Sequence, residues 1–216
     1  MGRALGLAAA VALALWQWDA AWLFPLRVLM TLIHEFGHGL AAILTGGSID
    51  KITVDPGLGG LCLTRGGWRW VILPSGYLGS MAAGCAIILL ASRTRHARAV
   101  SGVMGVLVMA ATLLFVRTFL GFGFGLLTGG ALISAGRWLS EDLNDSVLCF
   151  LGSMSCLSAV FGLKHLTTYG GDNDALFFSR EIFPLPALVW ALLWAGLSLA
   201  CLAVTLRAAV REPSRR

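Results

Sequence analysis

Residues His34-Glu35-Phe36-Gly37-His38 put two imidazoles and a carboxylate within one short piece of an apolar stretch, MTLIHEFGHGLAAILTGG (30–47). On a helix, positions i and i+4 share a face, so both rings can converge on one metal ion. Two imidazole nitrogens are half of a tetrahedral Zn²⁺ shell, with bonds of about 2.0–2.1 Å. Glu35, adjacent to His34, then lies near the open coordination position, where it can take a proton from water that zinc acidifies to a pKa of about 7. The chemistry encoded is hydrolysis by an activated water. Three ionisable groups in an apolar helix cost several kcal/mol unless a metal or partners compensate them, so a solvated chance occurrence fits this stretch poorly.

A catalytic zinc site takes a third protein ligand, leaving the fourth position for water. Three carboxylates are candidates. Asp172 and Asp174 lie in TYGGDNDALFF (168–178), where a Gly-rich turn meets an apolar segment. Asp172 or Asn173 also suits the cap of a helix starting near Asp174, which leaves Asp174 free to ligate. A carboxylate heading ALFFSREIF would be protonated or costly without a compensating cation. Glu141 opens EDLND (141–145), the ExxxD spacing by which another HExxH class supplies a glutamate, but its surroundings, RWLSEDLNDS, read as a solvated loop. Of the other two histidines, His96 sits in a basic loop and His165 at the end of an apolar run. Four histidines in all are too few for a membrane di-iron centre built on several His boxes.

The elements that must position these groups are set by composition. Of 216 residues, 57% are hydrophobic and only 12% charged, against about 25% charged in soluble domains. Lipid must therefore be the solvent for much of the apolar surface. Apolar runs near 4–24, 26–45, 71–91, 99–116, 119–136, 146–163 and 184–206 predict an all-α, polytopic bundle of about six to seven spans, a single membrane domain over 1–216. The first run is read as a retained span rather than a signal peptide, since no small-x-small cleavage site precedes Gln17 and Asp19. Pro25 suits the first turn of the helix that carries HExxH. The segment 48–70 differs in texture: short β-prone pieces separated by Pro-Gly and Gly-Gly predict a small β-like insert at the interface or buried against helices.

The net charge of +5 arises from residues scattered at span ends, as in RTRHAR (93–98) and REPSRR (211–216). These read as juxtamembrane anchors, with no nucleic-acid partner required. RTRHAR and the C-terminal tail then share one side of the membrane, with loop 164–183 on the other. Five cysteines without a CxxC pair imply no disulfide framework. GFGFG (121–125) lies inside an apolar run and reads as helix packing rather than a nucleotide loop.

The HExxH helix followed by Gly-Gly, a β-like insert and PSGYLGS (74–80) resembles the site-2-protease-like intramembrane zinc metalloproteases, in their compact bacterial branch without a PDZ domain. DNDALFF…PLPALVWALLWAGLSL (172–199) resembles that branch's C-terminal motif, an acidic residue before a Pro-anchored, Trp-rich final span. The resemblance runs from about residue 26 to 206 and implies a zinc-dependent endopeptidase in a bacterial cell membrane, acting on membrane proteins that contain a transmembrane segment. It implies His34, His38 and Asp174 as metal ligands and Glu35 as the catalytic base. The chain departs from the family in lacking the Leu-Asp-Gly motif of larger members, and AVFGLKH (159–165) lacks the acidic residue expected at that span end. A catalytically silent membrane subunit that binds partner proteins is the competing reading.

Overall fold

The computed structural model describes residues 2–168 and 172–211. The first two apolar runs become helices α1 (Gly2–Trp16) and α2 (Phe24–Leu44), separated by the polar break around Gln17 and Asp19 and restarted by Pro25 in the first turn of α2. A β-hairpin follows, of strands β1 (Ser48–Val54) and β2 (Gly60–Arg65). The rest is helical: α3 (Arg69–Arg93), α4 (Ala97–Phe115), α5 (Phe119–Trp138), α6 (Glu141–Cys156), α7 (Ser158–Thr168), α8 (Asp174–Glu181) and α9 (Ala187–Arg211).

Among the described residues, five helical segments are long and apolar enough to cross a membrane: α3, α4, α5, α6 continued by α7, and α9. The seven apolar runs do not become seven spans. Helices α1 and α2 meet at 115° and together make at most one broken span, for a total of up to six. Asp19 ties this bend down, pairing with Arg27 of α2 at 3.5 Å and Lys164 of α7 at 3.4 Å. The outward faces carry exposed apolar side chains, such as Leu107, Leu114 and Val204, each more than 60% exposed. Lipid is the solvent that suits them. Without a hydrophobic drive between helices in lipid, close backbone approach does the packing. At the α4–α5 crossing, a methyl group on Gly105 would stand 2.6 Å from the Gly129 carbonyl oxygen. In GFGFG, Gly125 leaves room for Thr112 of α4 in the same way.

The hairpin is antiparallel, pairing Ser48 with Arg65 and Val54 with Gly60, with an irregularity at Ile49/Lys51. Ile52 and Val54 point inward onto Val28 and Leu32 of α2 and Val116 beyond α4. The outer edge of β1 is occupied: Arg117 donates its backbone N–H to the Ile52 carbonyl at 2.9 Å, and the Val54 N–H reaches the Thr118 hydroxyl at 3.0 Å. The opposite edge, on β2, has no strand partner among the described residues. The turn Asp55–Gly59 holds Leu58 at φ 68°, and the Leu58 carbonyl accepts from the Thr31 hydroxyl of α2 at 3.3 Å. That bond docks the hairpin tip on the HExxH helix.

The bundle has two distinct ends. Arg93 donates to the Ala208 carbonyl at 3.2 Å, and the Arg98 backbone N–H donates to Glu141 at 3.1 Å, so the RTRHAR loop, the start of α6 and the end of α9 lie together. Arg69, at the other end of α3, pairs with Glu181 of α8. The tail 212–216 lies outside the described residues.

Candidate metal centre

His34 and His38 lie one turn apart on α2, with ring centroids 4.8 Å apart and ring planes nearly perpendicular. Their Nε2 atoms approach to 3.1 Å. Asp174, the first residue of α8, brings Oδ2 to 2.9 Å from His34 Nε2 and 3.2 Å from His38 Nε2. Among the described residues this is the one cluster of three such side chains spaced to hold a metal.

The tautomer of His38 is fixed from outside the cluster. Its Nδ1–H donates to the Ile72 carbonyl of α3 at 2.7 Å, which leaves the Nε2 lone pair facing His34 and Asp174. Three electron-rich atoms this close repel unless a cation or proton lies among them. Zinc bonds of about 2.0–2.1 Å make a tetrahedron with edges of about 3.3–3.4 Å. The observed separations of 2.9, 3.1 and 3.2 Å come within a few tenths of that. In number, chemistry and spacing the donors fit Zn²⁺.

Glycines let the backbone close around these groups. A side chain on Gly76, in the PSGYLGS stretch of α3, would collide with His34 Nε2 and stand 2.5 Å from His38 Nε2. A side chain on Gly37 would stand 2.5 Å from the Ser75 carbonyl oxygen, so α2 and α3 are in backbone contact beside the rings. Glu35 is 4% exposed. Strand β2 covers it: a side chain on Gly60 would collide with the Glu35 carboxylate. Burial, then the neighbouring Glu35 charge, push the Cys62 thiol up to about 12. Tyr77 stands edge-on to His34 at 4.5 Å and Trp194 of α9 lies behind it at 5.8 Å, forming an aromatic wall.

The other candidates lie elsewhere. Asp172 is 70% exposed and pairs with Arg180 at 3.6 Å. The cap of α8 is Asn173, whose side-chain oxygen accepts the Leu176 N–H at 2.9 Å. Glu141 starts α6 at the far end of the bundle, behind the cap Ser140. His96 and His165 are exposed and outside the cluster. Sequence reasoning missed Gly60, Gly76 and the Ile72 carbonyl. The two glycines stand in stretches already conspicuous for Gly, but the Ile72 contact leaves no trace in sequence, since any residue has a carbonyl.

The family model described as Peptidase M50B-like matches residues 7–205. No curated protein and no solved structure matches the chain.

Proposed function

As the chain belongs to the peptidase M50B-like family, the site-2 protease family, we propose that it is a zinc-dependent endopeptidase cleaving membrane proteins within a transmembrane segment. The observation that carries this is the triangle of His34, His38 and Asp174 donor atoms, 2.9–3.2 Å on a side, beside a buried Glu35. When bound, the zinc supplies Lewis-acid chemistry, polarising a carbonyl and acidifying water to a pKa of about 7. Glu35 takes the proton from the attacking water and returns it to the leaving amine, a role that needs a carboxylate held still and shielded from lipid. The close approach of β2 at Gly60 holds it so. His38 is kept in its ligating tautomer by Ile72.

A helical substrate must unwind before attack, because its carbonyls are occupied by hydrogen bonds. The unpaired edge of β2 runs beside Glu35 and offers a backbone template on which an unwound segment can add as a strand. The bilayer and a membrane-protein substrate are the partners this reading requires, and a bacterial cell membrane is the location it favours.

The test is metal analysis of detergent-purified protein together with cleavage of a transmembrane substrate. Wild type should hold about one Zn²⁺ per chain, and His34→Ala and His38→Ala should lose it. Undiminished zinc in both variants would place the metal elsewhere. Glu35→Gln should keep zinc and fold but lose about 10²–10⁴-fold in turnover. Stoichiometric zinc in a wild type that cleaves nothing would favour the silent, partner-binding subunit.

A further inference from the structure

Asp174 is the one donor of the cluster that does not come from α2. It sits on α8, a helix of two turns that begins at Asp174 and ends at Glu181. Its buried face, Ala175 and Phe178, packs on Leu73 of α3 and on Ala191 and Trp194 of α9. Phe178 stands edge-on to Trp190 at 4.8 Å and to Trp194 at 5.6 Å, which seats this face on α9, and polar ties at the two ends add to it. At the N-terminal end Asn173 caps the helix. At the C-terminal end the Glu181 carboxylate receives both Nε and Nη2 of Arg69, the latter at 2.7 Å. Such a two-pronged guanidinium–carboxylate pair fixes direction as well as distance.

The place where Arg69 is anchored gives the pair its significance. Arg69 is the first residue of α3, and the preceding Trp68 N–H is held by the Thr45 hydroxyl at the end of α2. One turn further, α3 presents the Ile72 carbonyl that orients His38, and then Gly76, over which both imidazoles lie. Glu181 therefore fastens the helix that carries the third donor to the start of the helix that orients the other two. Asp174 stands about 10 Å along α8 from this fastening, at about 1.5 Å per residue. A short stiff helix passes a small rotation at one end on to the other.

We propose that the Arg69–Glu181 pair is a latch that positions Asp174 for metal binding, making both of them positioning residues of the metal centre although neither touches the metal cluster. This rests on the reading of His34, His38 and Asp174 as metal ligands. A second ion pair on the same helix, Arg180–Asp172, joins α8 only to the residue preceding its own cap and so has no such leverage.

The experiment measures zinc affinity of the full-length chain in detergent by competition with a chromophoric chelator, so it does not depend on proteolysis. Arg69→Ala and Glu181→Gln should each weaken zinc binding by about three- to tenfold, between the small effect of an exposed ion pair and the 10–100-fold effect of groups that orient ligands. The charge-exchanged double variant, Arg69→Glu with Glu181→Arg, should return to within about twofold of wild type. Arg180→Gln, which breaks the other pair on α8, should leave affinity unchanged. Raising salt to about 1 M should shrink the gap between wild type and Glu181→Gln, because the pair is partly solvated. Single variants with wild-type affinity, or a double variant as weak as the singles, would overturn the latch. A wild-type chain that binds no zinc would instead overturn the metal reading beneath it.

Discussion

Gly76→Ala adds one methyl group where α3 passes over both candidate ligands. The new Cβ would stand 2.5 Å from His38 Nε2 and closer still to His34, whereas ordinary contact begins at 3.4 Å. The rings or the helix must therefore give way by nearly an ångström. Helix α3 is held against retreat by the Ile72 carbonyl on His38 and by the Trp68 N–H on the Thr45 hydroxyl of α2. The displacement falls on the imidazoles, and metal sites tolerate only about 0.2 Å in ligand distance. We expect zinc affinity to fall at least about 100-fold, the upper end for disturbed ligand orientation, or roughly 2.8 kcal/mol at 1.4 kcal/mol per tenfold. Chelator competition reads the affinity, and thermal melting of zinc-free protein read alongside separates metal loss from unfolding. Gly123→Ala is the control: nothing lies within 4 Å of its would-be methyl, so it should bind zinc normally and gain about 0.5–1 kcal/mol of helix propensity. A Gly76→Ala protein that binds zinc within about threefold of wild type would refute the reasoning, because the methyl then does not meet the rings.

Asp174→Asn should weaken zinc binding far more than Asp172→Asn or Glu141→Gln, since those two carboxylates lie against Arg180 and the Arg98 backbone instead; equal effects from all three would sink the assignment of Asp174. Gly60→Ala should keep stoichiometric zinc while turnover falls by about 10²-fold or more, because the displaced group, Glu35, is the proposed base and lies outside the proposed ligand set; normal turnover would mean that β2 is free to move off Glu35. Asn173→Ala removes the cap of α8, worth about 1 kcal/mol, and should cost zinc affinity a few-fold, with Asn173→Asp as the rescuing variant; unchanged affinity in the alanine variant would show that α8 is held without its cap.

The membrane class, the helix carrying His34, Glu35 and His38, and the hairpin after it were all legible in the sequence, because each rests on a local rule. Scarcity of charge needs no partner to be read, i and i+4 share a face on any helix, and β-branched residues around Pro-Gly make a hairpin wherever they fall. The span count was less legible. Residues 4–24 and 26–45 are apolar enough for two spans, yet the Asp19 break with its ties to Arg27 and Lys164 turns them into one bent pair. What composition could not supply is the meeting of Asp174 with the two histidines across 140 positions of chain. From the residues alone, Glu141 sat in polar sequence and Asp172 suited a helix cap, which favoured Asp174, and the resemblance pointed the same way, but nothing local brought it to the histidines. The packing of α8 on α3 and α9, its cap at Asn173 and its fastening at Arg69 turn Asp174 inward and leave Asp172 in solvent. The same holds for Gly60, Gly76 and Ile72. A missing side chain or a backbone carbonyl acquires a role only from what lies opposite it, and that is decided by tertiary structure.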